Sequence, residues 1–242
     1  MSTCLIRQPA GLGDIFFTQK IAKNMLDKKI CDQVIWPVIS QYNYLNDYIG
    51  SGNISFIDET NDFPYKNIYT SSGNTILKTN EYIYVPLQHA DQHYANEKVM
   101  QVKYKFCGNI SYDNWEDYFE IKRNYEREKY LIDYLGVNLD EPFILSNNNF
   151  GSKNYKHLNN KREFDLPKGI KIINMEYLSF DNFFDWMPIF EKAKEIHTVD
   201  TAICYLLHKM KINNVTVYSR TKDPNFFSYV DDIFNKEWRY IL

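Results

Sequence analysis

A chain of 242 residues, 44% of them hydrophobic, suits one large or two small globular domains, each of roughly 100–150 residues. The formal net charge of −3 leaves no basic footprint, which argues against nucleic acid as the main partner. No apolar run approaches the roughly 20 residues that span a bilayer, so no transmembrane segment is expected. Met1-Ser2-Thr3-Cys4 runs straight into a strand without the pattern of a signal peptide, and Cys4, Cys31, Cys107 and Cys204 form no C-x-x-C pair. These features predict a cytoplasmic chain with reduced, buried cysteines.

A short apolar strand over residues 4–6 leads into Arg7-Gln8-Pro9-Ala10-Gly11-Leu12-Gly13-Asp14-Ile15-Phe16-Phe17. From residue 15 to about 28, apolar side chains at 15, 16, 17, 21, 22, 25 and 26 follow a helical rhythm. Gly11 and Gly13 permit backbone angles or close approaches that a Cβ would forbid. Asp14 reads as the N-cap, its carboxylate accepting from first-turn amides. A helix N-terminus that faces a cleft is also a ready anion site. Val34-Ile35-Trp36-Pro37-Val38 is a second buried strand, consistent with a β-α-β opening and a parallel sheet. Residues 42–48 read as a short helix, 54–57 as a third strand, 58–66 as loop, and 68–69 and 82–87 as further strands.

Residues 89–115 are polar and aromatic without clean periodicity. His89 and His93 have the i, i+4 spacing of a metal site, but with no third ligand or H-E-x-x-H pattern a polar loop or substrate contact is the better reading. A charged helix over 117–135 ends at Gly136, a good C-cap. The domain boundary falls in 120–140, giving domains 1–125 and 126–242. The second half has strands at 142–146, 170–174, 195–199 and 214–218, with a polar loop at 147–161. An amphipathic helix spans 183–194, where Pro188 demands a kink or the start of a second segment. Another helix spans 202–211, and 224–242 reads as helix and tail. The fold class is therefore α/β, with two Rossmann-like doubly wound domains facing a cleft.

Several chemistries are excluded. Phe16 stands where the third glycine of G-x-G-x-x-G would be, and no acid ends the second strand to hold a ribose. There is no phosphate loop, no G-x-S-x-G elbow, and no D-x-D pair of the kind that holds a metal on a nucleotide sugar. The informative stretch in the second half runs from His197-Thr198-Val199-Asp200-Thr201-Ala202-Ile203-Cys204-Tyr205-Leu206-Leu207 to Val215-Thr216-Val217-Tyr218-Ser219-Arg220-Thr221-Lys222-Asp223-Pro224. A strand ends in Asp200-Thr201, both able to cap the next helix, whose first-turn amides sit at the ligand-binding edge of a doubly wound sheet. A diphosphate fits there, with Arg220 or Lys222 adding positive charge.

Strand-x-G-L-G-D-helix, followed far along the chain by V-D-T and V-T-V-Y-x-x-T-x-D-P, resembles the ADP-heptose:lipopolysaccharide heptosyltransferases. These are glycosyltransferases of family 9 type with the GT-B fold, and this chain would be a compact form. Leu145-Ser146-Asn147-Asn148-Asn149-Phe150-Gly151-Ser152-Lys153 resembles the family's phosphate-contacting loop. Ala202 replaces the family glycine, Tyr205 stands where a histidine is usual, and the chain is shorter than typical members. The resemblance therefore points to a GT-B glycosyltransferase more firmly than to heptose.

It implies an inverting reaction without a metal or other cofactor. Asp14 would be the general base on the acceptor hydroxyl, and Gly11 and Gly13 would form the cleft turn beside it. Lys153, Asp200, Thr201, Arg220 and Lys222 would bind the nucleotide-sugar donor. A helix N-terminus favours the charged form of a carboxylate and so weakens Asp14 as a base; burial against Phe16 or Phe17 would offset this. Tyr94, Lys98, Lys103 and Tyr104 are candidates for the acceptor side, because aromatic rings stack on sugar faces. The acceptor would be a glycan or a lipid-linked sugar, with peripheral membrane contact left open. The alternatives are a non-catalytic GT-B-like protein that binds a nucleotide or glycan, and a nucleotide-sugar 2-epimerase.

Overall fold

The computed structural model describes residues 2–94, 97–148, 162–176, 178, 180–220 and 232–242. The chain divides into two compact units, Met1–Lys122 and Arg123–Leu242.

The first unit is built on five strands: β1 (Thr3–Ile6), β2 (Gln33–Val38), β3 (Ile54–Asp58), β4 (Leu77–Lys78) and β5 (Tyr82–Val85), in the order β3-β2-β1-β5-β4. All neighbours pair in parallel except β4, which runs antiparallel to β5. Cys4 stands opposite Val34 on one side and Ile83 on the other. β1 is buried along its whole length, which is why it reads as an unbroken apolar run rather than an alternation.

The helix expected from residue 15 to about 28 is two helices, α1 (Leu12–Phe17) and α2 (Gln19–Asp27). They part at Thr18, whose hydroxyl donates back to the Asp14 carbonyl at 2.7 Å, a local competitor for the helical ladder. Phe16 stacks on Phe119, and Phe17 meets Tyr104 and Trp115 edge-on with ring centroids 5.0 and 5.5 Å away. Residues 42–48 divide into a 3₁₀ turn, Ser40–Tyr42, and the helix α3 (Leu45–Tyr48). Residues 68–69, expected as strand, lie inside the helix α4 (Lys66–Ser71); two apolar neighbours cannot distinguish a strand from one helical turn. The stretch without periodicity contains a 3₁₀ helix, Leu87–His93, the helix α5 (Val99–Phe106), and a 3₁₀ turn, Trp115–Tyr118.

The second unit opens with α6 (Tyr125–Leu135). It starts later than the expected 117 because Asn124 caps it, accepting from the Arg127 amide at 3.2 Å. It ends at Gly136, whose φ of 59° is the left-handed cap that glycine adopts without strain. Five parallel strands follow: β6 (Phe143–Asn147), β7 (Lys171–Asn174), β8 (Glu195–Val199), β9 (Val215–Tyr218) and β10 (Arg239–Ile241), in the order β10-β9-β8-β6-β7. Residues 239–241, expected as helix or tail, are thus the fifth strand. Pro188 does begin a second segment: a 3₁₀ turn, Phe183–Trp186, gives way to α7 (Met187–Lys192), where a missing N–H in the first turn costs nothing. The helix after β8 is α8 (Ala202–Lys209).

Cys4, Cys31 and Cys204 are buried, and all four cysteines are free thiols. Among the described residues no helix is long and apolar enough to cross a membrane.

Candidate active site

In open parallel sheets, ligands gather outside the carboxyl ends of the strands where the strand order reverses. In the first unit that point lies between β1 and β5, with β2 and β3 on one side and β5 on the other. The chain leaving β1 is tied to both neighbours. The Arg7 amide donates to the Val85 carbonyl at 2.8 Å, Gln88 N–H donates to the Arg7 carbonyl at 3.0 Å, and Ile39 N–H donates to the Pro9 carbonyl at 3.0 Å.

Gly11 is the N-cap of α1 in the left-handed conformation, φ 82°, and Asp14 lies inside the first turn, two residues past the helix start, rather than at the cap. This corrects the expectation of an Asp14 cap. The space that a Cβ on Gly11 would take is occupied by the Asp14 carboxylate, so glycine is required twice, for its φ and for its bareness. The Asp14 Oδ1 instead meets the Lys103 Nζ at 3.0 Å.

Lys103, on α5, is buried. Its ammonium has three N–H groups and three acceptors: Asp14 Oδ1, the Gln8 Oε1 at 2.7 Å and the Leu87 carbonyl at 3.3 Å. The Gln8 amide is oriented in turn by donating from Nε2 to the Ala10 carbonyl at 2.6 Å, while the Gln8 carbonyl accepts from Trp36 Nε1 at 3.1 Å.

Two further groups border the pair. Burial pushes the proton affinity of the Tyr42 phenol up, with the Asp14 charge adding to that and Gln41 and the Leu12 amide opposing it. His89 titrates below its ordinary value, first through burial and then through the positive charges of Arg7, His93 and Lys103, against which Asp91 acts. Its ring nitrogens lie 2.8 Å from Gln88 Nε2 and 3.1 Å from Gln92 Nε2, and His93 Nε2 lies 2.7 Å from the Asn74 carbonyl. The two histidines thus face amides and a carbonyl rather than each other. Gln8, Tyr42 and the Leu87 carbonyl carry no motif that would have singled them out.

The other residues of the polar stretch are placed differently. Tyr104 is buried, its hydroxyl donating to the Phe17 carbonyl, and burial holds its phenol well above the ordinary range. Tyr94 is half-buried, with the Lys105 ammonium 4.6 Å above its ring, and Lys98 stands at the N-cap of α5.

In the second unit the order reverses between β6 and β8. Asn147, ending β6, donates from Nδ2 to Thr198 Oγ1 on β8 at 2.9 Å, which locks the two strand ends together. Asp200 follows β8, its amide donating to the Tyr218 carbonyl at 3.0 Å. Its carboxylate is buried with Arg220 Nη2 at 3.8 Å. Burial pushes the Asp200 carboxyl up to about 6, the Arg220 charge only partly opposing this. Thr201, not Asp200, is the N-cap of α8, and its side chain makes no cap hydrogen bond; the Thr201 hydroxyl donates to the Val199 carbonyl at 3.4 Å. This corrects the expectation that these side chains cap the helix. Tyr205 is buried edge-on against Phe234, ring centroids 4.7 Å apart, so it is a packing residue. Lys153 and Lys222 lie outside the described residues. Among the described residues no group of three or more His, Cys, Asp and Glu side chains is placed to hold a metal ion.

No protein-family model and no curated protein matches the chain. Among solved structures it is similar to the glycosyl transferase family 9 from Veillonella parvula DSM 2008, with TM-score 0.57 and 7% identity over 99% of this chain and 86% of that one. It also aligns with E. coli heptosyltransferase WaaC with ADP (TM-score 0.49, 8% identity, 100% of this chain, 93% of that one) and with E. coli ADP-heptose lps heptosyltransferase II (TM-score 0.48, 10% identity, 100% and 90%). The first of these carries the comparison: two α/β units, each on a parallel-dominated sheet, give this chain the fold of a GT-B-like glycosyltransferase.

Proposed function

We propose that the protein is a glycosyltransferase that moves a sugar from a nucleotide-sugar donor to a hydroxyl of a glycan or lipid-linked acceptor. The single observation that carries this reading is the Asp14 carboxylate, set beside a buried ammonium at the strand-order reversal of a family 9-like fold. A carboxylate there can take the proton of an acceptor hydroxyl as its oxygen attacks the anomeric carbon. The bond from that carbon to the diphosphate breaks, and its electron pair leaves with the diphosphate. The transition state is oxocarbenium-like, and attack from the face opposite the leaving group inverts the anomeric centre.

The leaving diphosphate gathers negative charge, which Arg220, with Lys153 and Lys222, and the first-turn amides of α8 would neutralise in place of a divalent ion. Support for this side is the position of Arg220 and α8 at the carboxyl edge of the second sheet. The deeply buried Asp200 would accept from a donor hydroxyl or orient Arg220.

Release of nucleotide from UDP-, GDP-, ADP- and CMP-sugars, with and without acceptor glycans, tests the proposal. Turnover that falls about 10²–10⁴-fold in Asp14→Asn while donor affinity holds is the expected result. Donor binding without turnover in the parent chain would favour a non-catalytic binder, and absence of binding to any nucleotide would end the enzyme reading.

A further inference from the structure

The Asp14 carboxylate is not held by its own helix. It lies in the first turn of α1, whose N-cap is Gly11 and not Asp14. A carboxylate on a short helix can rotate among several staggered positions, and a general base must meet its proton in one of them. What holds it comes from α5. The Lys103 ammonium is bound at three corners, two of them at the carboxyl ends of the strands that define the site: Gln8 follows β1 and Leu87 follows β5. The third corner is Asp14 Oδ1.

Burial is divided unequally across this pair. The lysine side chain is 5% exposed and the aspartate 30%. The cation is thus enclosed, with every N–H matched to an acceptor as a desolvated ammonium requires, while the anion keeps one side open. Its second oxygen, Oδ2, lies over Gly11, where the absence of a Cβ leaves room for it.

We infer that Lys103 is the positioning residue of Asp14: it binds Oδ1 and thereby turns Oδ2 toward the incoming acceptor hydroxyl. This rests on the assignment of Asp14 as the base and changes the role of Lys103, which the sequence placed on the acceptor surface. Lys103 does not touch the substrate; it acts through Asp14.

Crystal structures and a double-mutant cycle separate the two ideas. Lys103→Met keeps the aliphatic stem and removes the ammonium. In its crystal structure the Asp14 carboxylate is expected to leave its place over Gly11, whereas a carboxylate in its original position overturns the inference whatever the turnover. In nucleotide release from the same four sugar nucleotides, kcat is expected to fall by up to about 10²-fold with the donor KM unchanged. In an Asp14→Asn background Lys103→Met is expected to add nothing; an equal loss in both backgrounds also overturns the inference. Full activity in Asp14→Asn would instead remove the base assignment, leaving the crystal structure to decide whether Lys103 positions the carboxylate. Should Lys103→Met fail to fold, the side-chain ¹⁵N resonance of Lys103 is read in Asp14→Asn. It is expected to shift and to lose protection from solvent exchange, and an unchanged resonance refutes the coupling.

Discussion

Asp14 and Asp200 both stand where a buried parallel strand gives way to a helix, Asp14 inside the first helical turn and Asp200 just before the cap, and they end in opposite environments. Asp14 is partly exposed and has an ammonium 3.0 Å away. Asp200 is enclosed, its cation stands at 3.8 Å, and burial pushes its carboxyl up to about 6. The difference comes from what the rest of each unit supplies. In the first unit α5 delivers a lysine to the strand ends. In the second, Arg220 approaches from the end of β9 and Asn147 is spent locking β6 to β8. A strand–turn–aspartate signature therefore identifies a sheet edge, and the tertiary partner decides which chemistry that edge can do.

The two aspartates should differ most in how they couple stability to pH. Asp200 binds its proton more tightly in the folded chain than in the unfolded one, so its contribution is complete below about pH 4 and is lost as pH rises through about 6. A shift from 3.8 to about 6 corresponds to at most roughly 3 kcal/mol. Asp200→Asn should remove this dependence, so its stability advantage over the parent in urea unfolding should grow between pH 4 and pH 7. An advantage that is flat with pH would mean that Asp200 is not the buried group described.

Arg220→Ala comes next. It should weaken nucleotide-sugar binding by about 10–100-fold in calorimetry, the worth of a charge-assisted contact to a diphosphate. It should also raise the Asp200 midpoint further, because the one opposing charge is gone. Unaltered donor affinity would move the leaving-group site elsewhere.

Gly11→Ala should cost about 1–2 kcal/mol for the left-handed backbone alone. It should also reduce turnover by displacing the Asp14 carboxylate, where a merely strained turn would lower stability and leave kcat intact. The smallest effect is expected from Tyr42→Phe, which removes a half-buried phenol near Asp14 and should cost about 1 kcal/mol or less in thermal unfolding, with donor affinity unchanged.

Much of the fold was legible because buried parallel strands are continuous apolar runs. Val34 to Val38, Glu195 to Val199 and Val215 to Tyr218 declare themselves by β-branched and aromatic content. What escaped is short or held by distant partners. β10 has three residues, and β4 is two exposed residues whose pairing depends on β5. The start of α6 turns on the Asn124 cap, which the charged pattern upstream conceals.

The site divides in the same way. Gly11 and Asp14 were visible because a turn and a helix start leave local marks. Lys103 was named only as one of four candidates in a polar, aromatic stretch; its burial beside Asp14 depends on Gln8 and Leu87, which reach it only through the sheet. The burial of Asp200 is likewise a property of the packed unit and has no trace in the residues beside it.

The proposed mechanism divides the labour, with the donor on the second unit and proton transfer on the first. Backbone amide chemical shifts recorded during titration with ADP, UDP, GDP and CMP test it most directly. Saturable changes are expected at Asp200, Thr201, Ser219, Arg220 and the first turn of α8, with Gly11 to Asp14 unmoved. Saturable changes centred on Gly11 to Asp14, with the α8 N-terminus silent, would contradict it.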